Sequence, residues 1–170
     1  MIEITDDITS RVLIRNYRKS DYDETLSMME EMSEVFSFYF DKDKWNESAG
    51  LRLFQPGYSR TTLVAELDGK LVAMGFIELT TNTPDGLNIG YLSNWGVKSE
   101  YRGSGVGKAL ADKAIAMLTA MGADLIRIKI ATTPDPEKML KMVESIGFEP
   151  RYITVEKKVD KEAMKPPSDS

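Results

Sequence analysis

Residues Gly96–Ala114 read GVKSEYRGSGVGKALADKA, four glycines set between an apolar run and a helical pattern. The run before them, Leu87–Val97 (LNIGYLSNWGV), alternates like a strand. After them Leu110, Ala114, Met117, Leu118 and Met121 recur at helical spacing, with Gly122 placed to end the helix. A strand that opens through glycines into a helix presents unpaired backbone N–H groups at the positive end of the helix dipole, and so suits an anion. Spacing rules out two well-known phosphate loops. A nucleoside-triphosphate loop needs glycine where Arg102 stands and Ser or Thr where Ala109 stands, and a dinucleotide fingerprint needs glycine where Lys108 stands. Without a ligand, the same glycines would serve only a tight turn and a close helix–sheet contact.

Upstream, Arg11–Tyr17 (RVLIRNY) reads as a first strand, and Ser20 as the cap of a helix reaching about residue 40 with Leu26, Met29 and Phe36 on one face. A second helix is expected over Lys42–Phe54. Thr61–Thr81 (TTLVAELDGKLVAMGFIELTT) holds two β-rich runs around Asp68-Gly69, the signature of a hairpin with a tight turn. Downstream of the glycines, Leu125–Ala131 (LIRIKIA) is a strand. Asp135-Pro136 starts a further helix that Gly147 closes, Tyr152–Val159 (YITVEKKV) is a last strand, and residues 161–170 form a flexible polar tail. The order is β-α-α-β-β-β-α-β-α-β, an α/β (α+β) fold with a mixed, mostly antiparallel sheet flanked by helices, in a single domain over residues 1–160.

Composition narrows the chemistry. The 170 residues include no cysteine and no histidine, which removes disulfides, a thiolate nucleophile and the most common neutral-pH base. A net charge of −5 argues against sequence-independent nucleic-acid binding. No apolar run approaches the roughly 20 residues that span a bilayer, and the first residues lack a signal pattern, so the expectation is a cytoplasmic protein without membrane contact. No metal constellation is present.

The stretch VKSEYRGSGVGKAL resembles the Arg/Gln-x-x-Gly-x-Gly/Ala signature of the Gcn5-related N-acetyltransferases, with Arg102, Gly105 and Gly107 at the defining positions. The likeness extends over about residues 10–159. It implies that residues 102–107, Arg102, Gly103, Ser104, Gly105, Val106 and Gly107, hold the pyrophosphate of acetyl-CoA, and that the main chain of Trp95, Gly96 and Val97 pairs with its pantetheine arm. Lys108 is a further candidate phosphate contact. Met142–Phe148 resembles a late block of the family, but the tyrosine that often serves there as general acid is Val143.

The chemistry then needs a base for an incoming amine and a donor for the thioester oxygen, whereas the CoA thiolate leaves readily. Glu78, a carboxylate at the end of the apolar stretch AMGFIEL, is the first candidate base. Some family members carry a glutamate on the central strand, and Tyr91 occupies the matching position. Tyr91 is expected to share a face with Ser93 and Trp95, with Asn94 on the opposite face, able to polarise the thioester carbonyl or to satisfy a bulge. The aromatics and acids of Phe36–Trp45 (FSFYFDKDKW) lie where acceptor selection is expected. With cysteine absent, direct transfer to a primary amine of a small molecule or protein remains. A CoA-binding sensor or interaction module with little transferase activity is the alternative, transfer of a longer acyl group a rarer one, and a homodimer is possible.

Overall fold

A computed structural model describes residues 8–57 and 59–160, so the tail expected over 161–170 lies outside the described residues. They form two compact units, one reaching Pro136 and one starting at Glu137. In the first unit β1 (Leu13–Asn16), β2 (Arg60–Leu67), β3 (Lys70–Thr80), β4 (Ile89–Val97) and β5 (Leu125–Ile128) form one sheet in chain order. The first four are antiparallel neighbours, and β5 joins β4 in parallel after a crossover through α4 (Val106–Ala120). The two-residue Asp68-Gly69 turn sets Leu67 opposite Lys70, as the sequence predicts.

Each face of this sheet is covered by a different set of helices. α2 (Tyr22–Val35) and α3 (Lys42–Glu47) supply Leu26, Met28, Met29 and Trp45 to a core shared with Val64, Leu71 and Met74. On the other face α4 buries Val106, Leu110, Ala114 and Leu118. It comes so near the sheet that a Cβ at Gly90 would fall 2.9 Å from the Leu118 side chain. The β1 edge is held by charge: Arg15 is 2.7 Å from Asp21 and 2.9 Å from Glu66, all three largely out of water.

Several local expectations change. Ser20 does not cap α2. A short 3-10 turn over Lys19–Asp21 precedes the helix, and the Asp21 carboxylate instead accepts from the Arg18 backbone N–H at 2.7 Å. The helix ends at Val35 rather than near 40: Ser37 turns left-handed (φ 53°), and Phe38 and Phe40 beyond it pack on the core. The second helix closes early as well. Asp41 caps α3 by accepting from the backbone N–H groups of Asp43 and Lys44, and a 3-10 turn over Ala49–Arg52 follows. A one-turn helix, α1 (Ile8–Arg11), precedes β1 and was not foreseen.

The Asp135-Pro136 signal, at the end of the first unit, starts α5 (Pro136–Glu144) at Pro136, and in the second unit Gly147 turns left-handed after it (φ 97°). The last strand expected over Tyr152–Val159 is not formed; Ile153 and Val155 are about nine-tenths exposed. Alternation gives a strand two faces but no neighbour, and a strand exists only through the ladder a neighbour completes.

Candidate active site

A fork in the sheet defines the site. β4 and β5 are in register from Ile89–Leu125 to Leu92–Ile128, where β5 ends, while β4 runs on to Val97 with β3 as its neighbour on the other side. Residues 93–97 therefore have no strand neighbour on that edge among the described residues. The Val97 carbonyl accepts from Arg102 Nε at 3.2 Å, and the Arg102 guanidinium lies 3.8 Å from Glu31.

Past Val97 the chain runs through a 3-10 turn over Ser99–Tyr101 to the start of α4. Gly105 occupies the N-cap in a left-handed conformation (φ 90°), and no side chain caps the first turn. Only a long contact, 3.4 Å from the Val106 N–H to Ser104 Oγ, touches those amides, with Ser104 itself held by the Tyr101 carbonyl. A Cβ at Gly105 would meet Thr9 at 3.0 Å, and one at Gly107 would meet Val97 at 3.2 Å, so the loop is built tight to its surroundings. Such a cradle of aimed, uncapped N–H groups at a 15-residue helix fits a phosphate-sized anion. Lys108 points elsewhere, to Asp112 one turn along at 2.8 Å.

Where β4 begins to leave β5 it bulges. Met74 pairs with Gly96 but Phe76 with Ser93, so Gly75 faces two residues, Asn94 and Trp95, with Asn94 left-handed (φ 50°). The bulge reverses the faces that simple alternation assigns. Asn94 turns toward α2, its Nδ2 3.9 Å from Met29 Sδ, and the Trp95 ring lies over Gly75 on the other side, where a Cβ would be only 2.1 Å from the ring. Trp95 therefore does not share a face with Tyr91 and Ser93. Gly96 is needed for the same close packing, since a Cβ there would fall 2.1 Å from Met32 Sδ.

Glu78 and Tyr91, singled out on separate strands, are direct cross-strand partners. They belong to a row on one face, Arg60, Glu78, Tyr91 and Arg127, each in register with the next. The Glu78 carboxylate is half exposed and paired with Arg60 at 3.0 Å. Sequence reasoning missed both arginines. For Arg60 the misleading signal was the turn itself: uninterrupted pairing from Leu67–Lys70 would set Ser59 against Glu78, and an irregularity near Ala65 shifts the register by one residue. In the second unit Val143 is buried and offers no proton. Among the described residues no group of three or more His, Cys, Asp or Glu could hold a metal, and no helix is long and apolar enough to cross a membrane.

The family model described as "Acetyltransferase (GNAT) family" matches residues 25–148. Among solved structures, a Trypanosoma brucei acetyltransferase superposes with a TM-score of 0.69 at 20% identity, covering 87% of this chain and 99% of its own. A glucosamine-6-phosphate N-acetyltransferase from Arabidopsis thaliana gives 0.70 at 17% identity, with 88% and 99% covered. A ribosomal-protein-alanine N-acetyltransferase from Brucella melitensis gives 0.70 at 19%, with 87% and 99% covered. At these identities the likeness concerns the fold. No curated protein sequence is similar enough to count as a match.

Proposed function

Since the chain belongs to the acetyltransferase (GNAT) family, we propose that it moves an acetyl group from acetyl-CoA directly to a primary amine, as a soluble cytoplasmic enzyme. The observation that carries this reading is the fork between β4 and β5 leading to the uncapped start of α4. In this reading Arg102, Gly103, Ser104, Gly105, Val106 and Gly107 hold the pyrophosphate, chiefly through backbone N–H groups and the helix dipole. The edge of Trp95, Gly96 and Val97 that faces away from β3 pairs with the pantetheine arm as a further strand would. Lys108 contributes only by leaving Asp112. Bound acetyl-CoA supplies an activated thioester.

The chain's own groups do the rest. Asn94 Nδ2, placed on the α2 side by the bulge, is the donor for a developing oxyanion near the fork. Glu78 takes a proton from the acceptor ammonium, directly or through one water, with Arg60 holding the carboxylate in place. Tyr91 beside it orders that water or the amine. Direct transfer is favoured because the 170 residues contain neither cysteine for an acyl-enzyme nor histidine to activate serine. The acceptor is an amine with no further identity assigned.

The test is release of CoA thiol by the protein saturated with acetyl-CoA, run against a panel of amines including amino sugars, polyamines and peptide N-termini. Release that requires one amine, with acetylated product by mass, is the expected result. Saturable acetyl-CoA binding without release on any amine would turn the reading toward a CoA-responsive binding module, for which Val143 in place of a general acid already speaks. Failure of the folded protein to bind acetyl-CoA would overturn both.

A further inference from the structure

A half-open pocket of about 400 Å³ lies on the β1 side of the sheet and is lined by Tyr17, Lys19, Tyr22, Ala49, Gly50 and Leu53. Its volume is that of a small-molecule site, about 300–1,000 Å³. Beside it lies Arg52, a fully buried guanidinium with no carboxylate in ion-pair reach among the described residues. The group stacks 3.8 Å from the Trp45 ring, with the cavity-lining rings of Tyr17 and Tyr22 at 5.7 and 6.0 Å. Its Nη2 donates to the Trp45 carbonyl at 2.9 Å and its Nη1 contacts Ser48 Oγ at 3.4 Å. Two donors of the stacked pair, Arg52 Nε and the Trp45 indole N–H, have no acceptor.

A buried cation without a counter-charge is costly, and π faces return only part of what water supplied. The contrast with Arg15, buried nearby against Asp21 and Glu66, makes the lack specific. Around the cavity the other charges do not supply the missing anion. Asp21, next to Tyr22 in the chain, is taken up by Arg15 and the Arg18 amide, and Lys19 at the exposed rim adds a second positive charge. The phenols of Tyr17 and Tyr22 are donors as well as acceptors, while Ala49 and Leu53 are apolar.

We propose that this cavity binds a small carboxylate with an apolar or aromatic body, its anionic end set between Lys19 and the tyrosines in the field of Arg52, its body against Leu53 and Ala49. The site is separate from the fork in the sheet, and the proposal stands whether or not the protein transfers acetyl groups. Trp45 is the wall between the two regions: its ring meets Arg52 on one side and packs edge-on to Phe76, the cross-strand neighbour of Ser93, at 5.9 Å.

Calorimetric titration of the full chain with 3-phenylpropionate tests this, with uncharged 3-phenylpropionamide as comparator. One saturable site at ~1 mM or tighter is expected, with the amide at least about tenfold weaker. Gly50→Phe should abolish binding, because a Cβ at Gly50 meets nothing within 4 Å and the ring can enter the cavity without disturbing the fold. Exposed Lys19→Gln should weaken binding about three- to tenfold, and circular dichroism checks that both variants are folded. No saturation by about 20 mM, equal binding of acid and amide, or unchanged binding in folded Gly50→Phe would each overturn the proposal.

Discussion

The two sides of the sheet treat their backbone and charges in opposite ways. Near the β1 edge the inner ladder and the ion pairs are complete: β1 pairs with β2, the Tyr17 N–H continues the ladder to the Thr62 carbonyl, and Arg15 is matched by two carboxylates. At the β4–β5 fork, pairing stops, a bulge inserts, and the helix that follows has no cap. Closure is what stability asks for, because an unmet backbone group costs free energy wherever water is excluded. Under the proposed function, the fork gives up that stabilisation to keep N–H and C=O groups available for acetyl-CoA. On that proposal the unsatisfied end of the fold, rather than its best-packed end, is where the chemistry is done.

The sharpest way to break this contrast is at the closed edge. Asp21→Asn should cost about 3 kcal/mol of stability at neutral pH by leaving Arg15 buried with one partner fewer, read by denaturant unfolding. Burial pushes the Asp21 carboxyl up, but the Arg15 hydrogen bond and the Arg18 amide outweigh it and hold it below the ordinary range. Its stabilisation is therefore present above about pH 4 and lost as pH falls through the lowered value, so wild type and variant should converge in acid.

At the open end, Gly105→Asp should weaken acetyl-CoA binding by at least about a hundredfold, by placing a carboxylate and a strained backbone at the mouth of α4. Its cost in stability should stay near 1 kcal/mol, so a variant that loses the fold as readily as Asp21→Asn would erase the distinction between the two regions. Glu78→Gln tests the row between them. It should lower kcat/KM by about ten- to a hundredfold, leave acetyl-CoA affinity unchanged and alter stability by less than about 0.5 kcal/mol, its pair with Arg60 being half exposed. Smallest of all, Lys108→Ala should change acetyl-CoA affinity less than about threefold and stability by about 0.3 kcal/mol, since its partner is Asp112. A larger loss of affinity would show that Lys108 abandons that partner when the ligand arrives.

The glycine stretch was legible because its signal is local: strand, turn and helix follow in the chain, and spacing alone excluded the competing loops. Glu78 and Tyr91 were singled out as candidates, one by its odd place after an apolar run and one by the family resemblance, although nothing local showed them to be the cross-strand neighbours they are. The rest depended on register. One irregularity in the hairpin brought Arg60 to Glu78, and the bulge at Asn94 put Asn94 and Trp95 on sides that a period of two cannot give. Arg52 was invisible for a related reason, since a basic residue in a polar loop looks solvated until three aromatic rings from distant segments surround it. The unformed strand over Tyr152–Val159 is the converse, a clear local pattern without a ladder.

Trp95, flat over Gly75 on the α4 side, and Trp45, wedged between Arg52 and Phe76 on the α2 side, are the two tryptophans of the chain. The protein thus carries a natural pair of optical reporters, one on each side of its sheet. With Trp95 replaced by Phe, emission comes from an indole pressed against a guanidinium; with Trp45 replaced, it comes from one lying at the fork. Events on the two sides can then be timed separately in a single stopped-flow instrument, without attaching a dye.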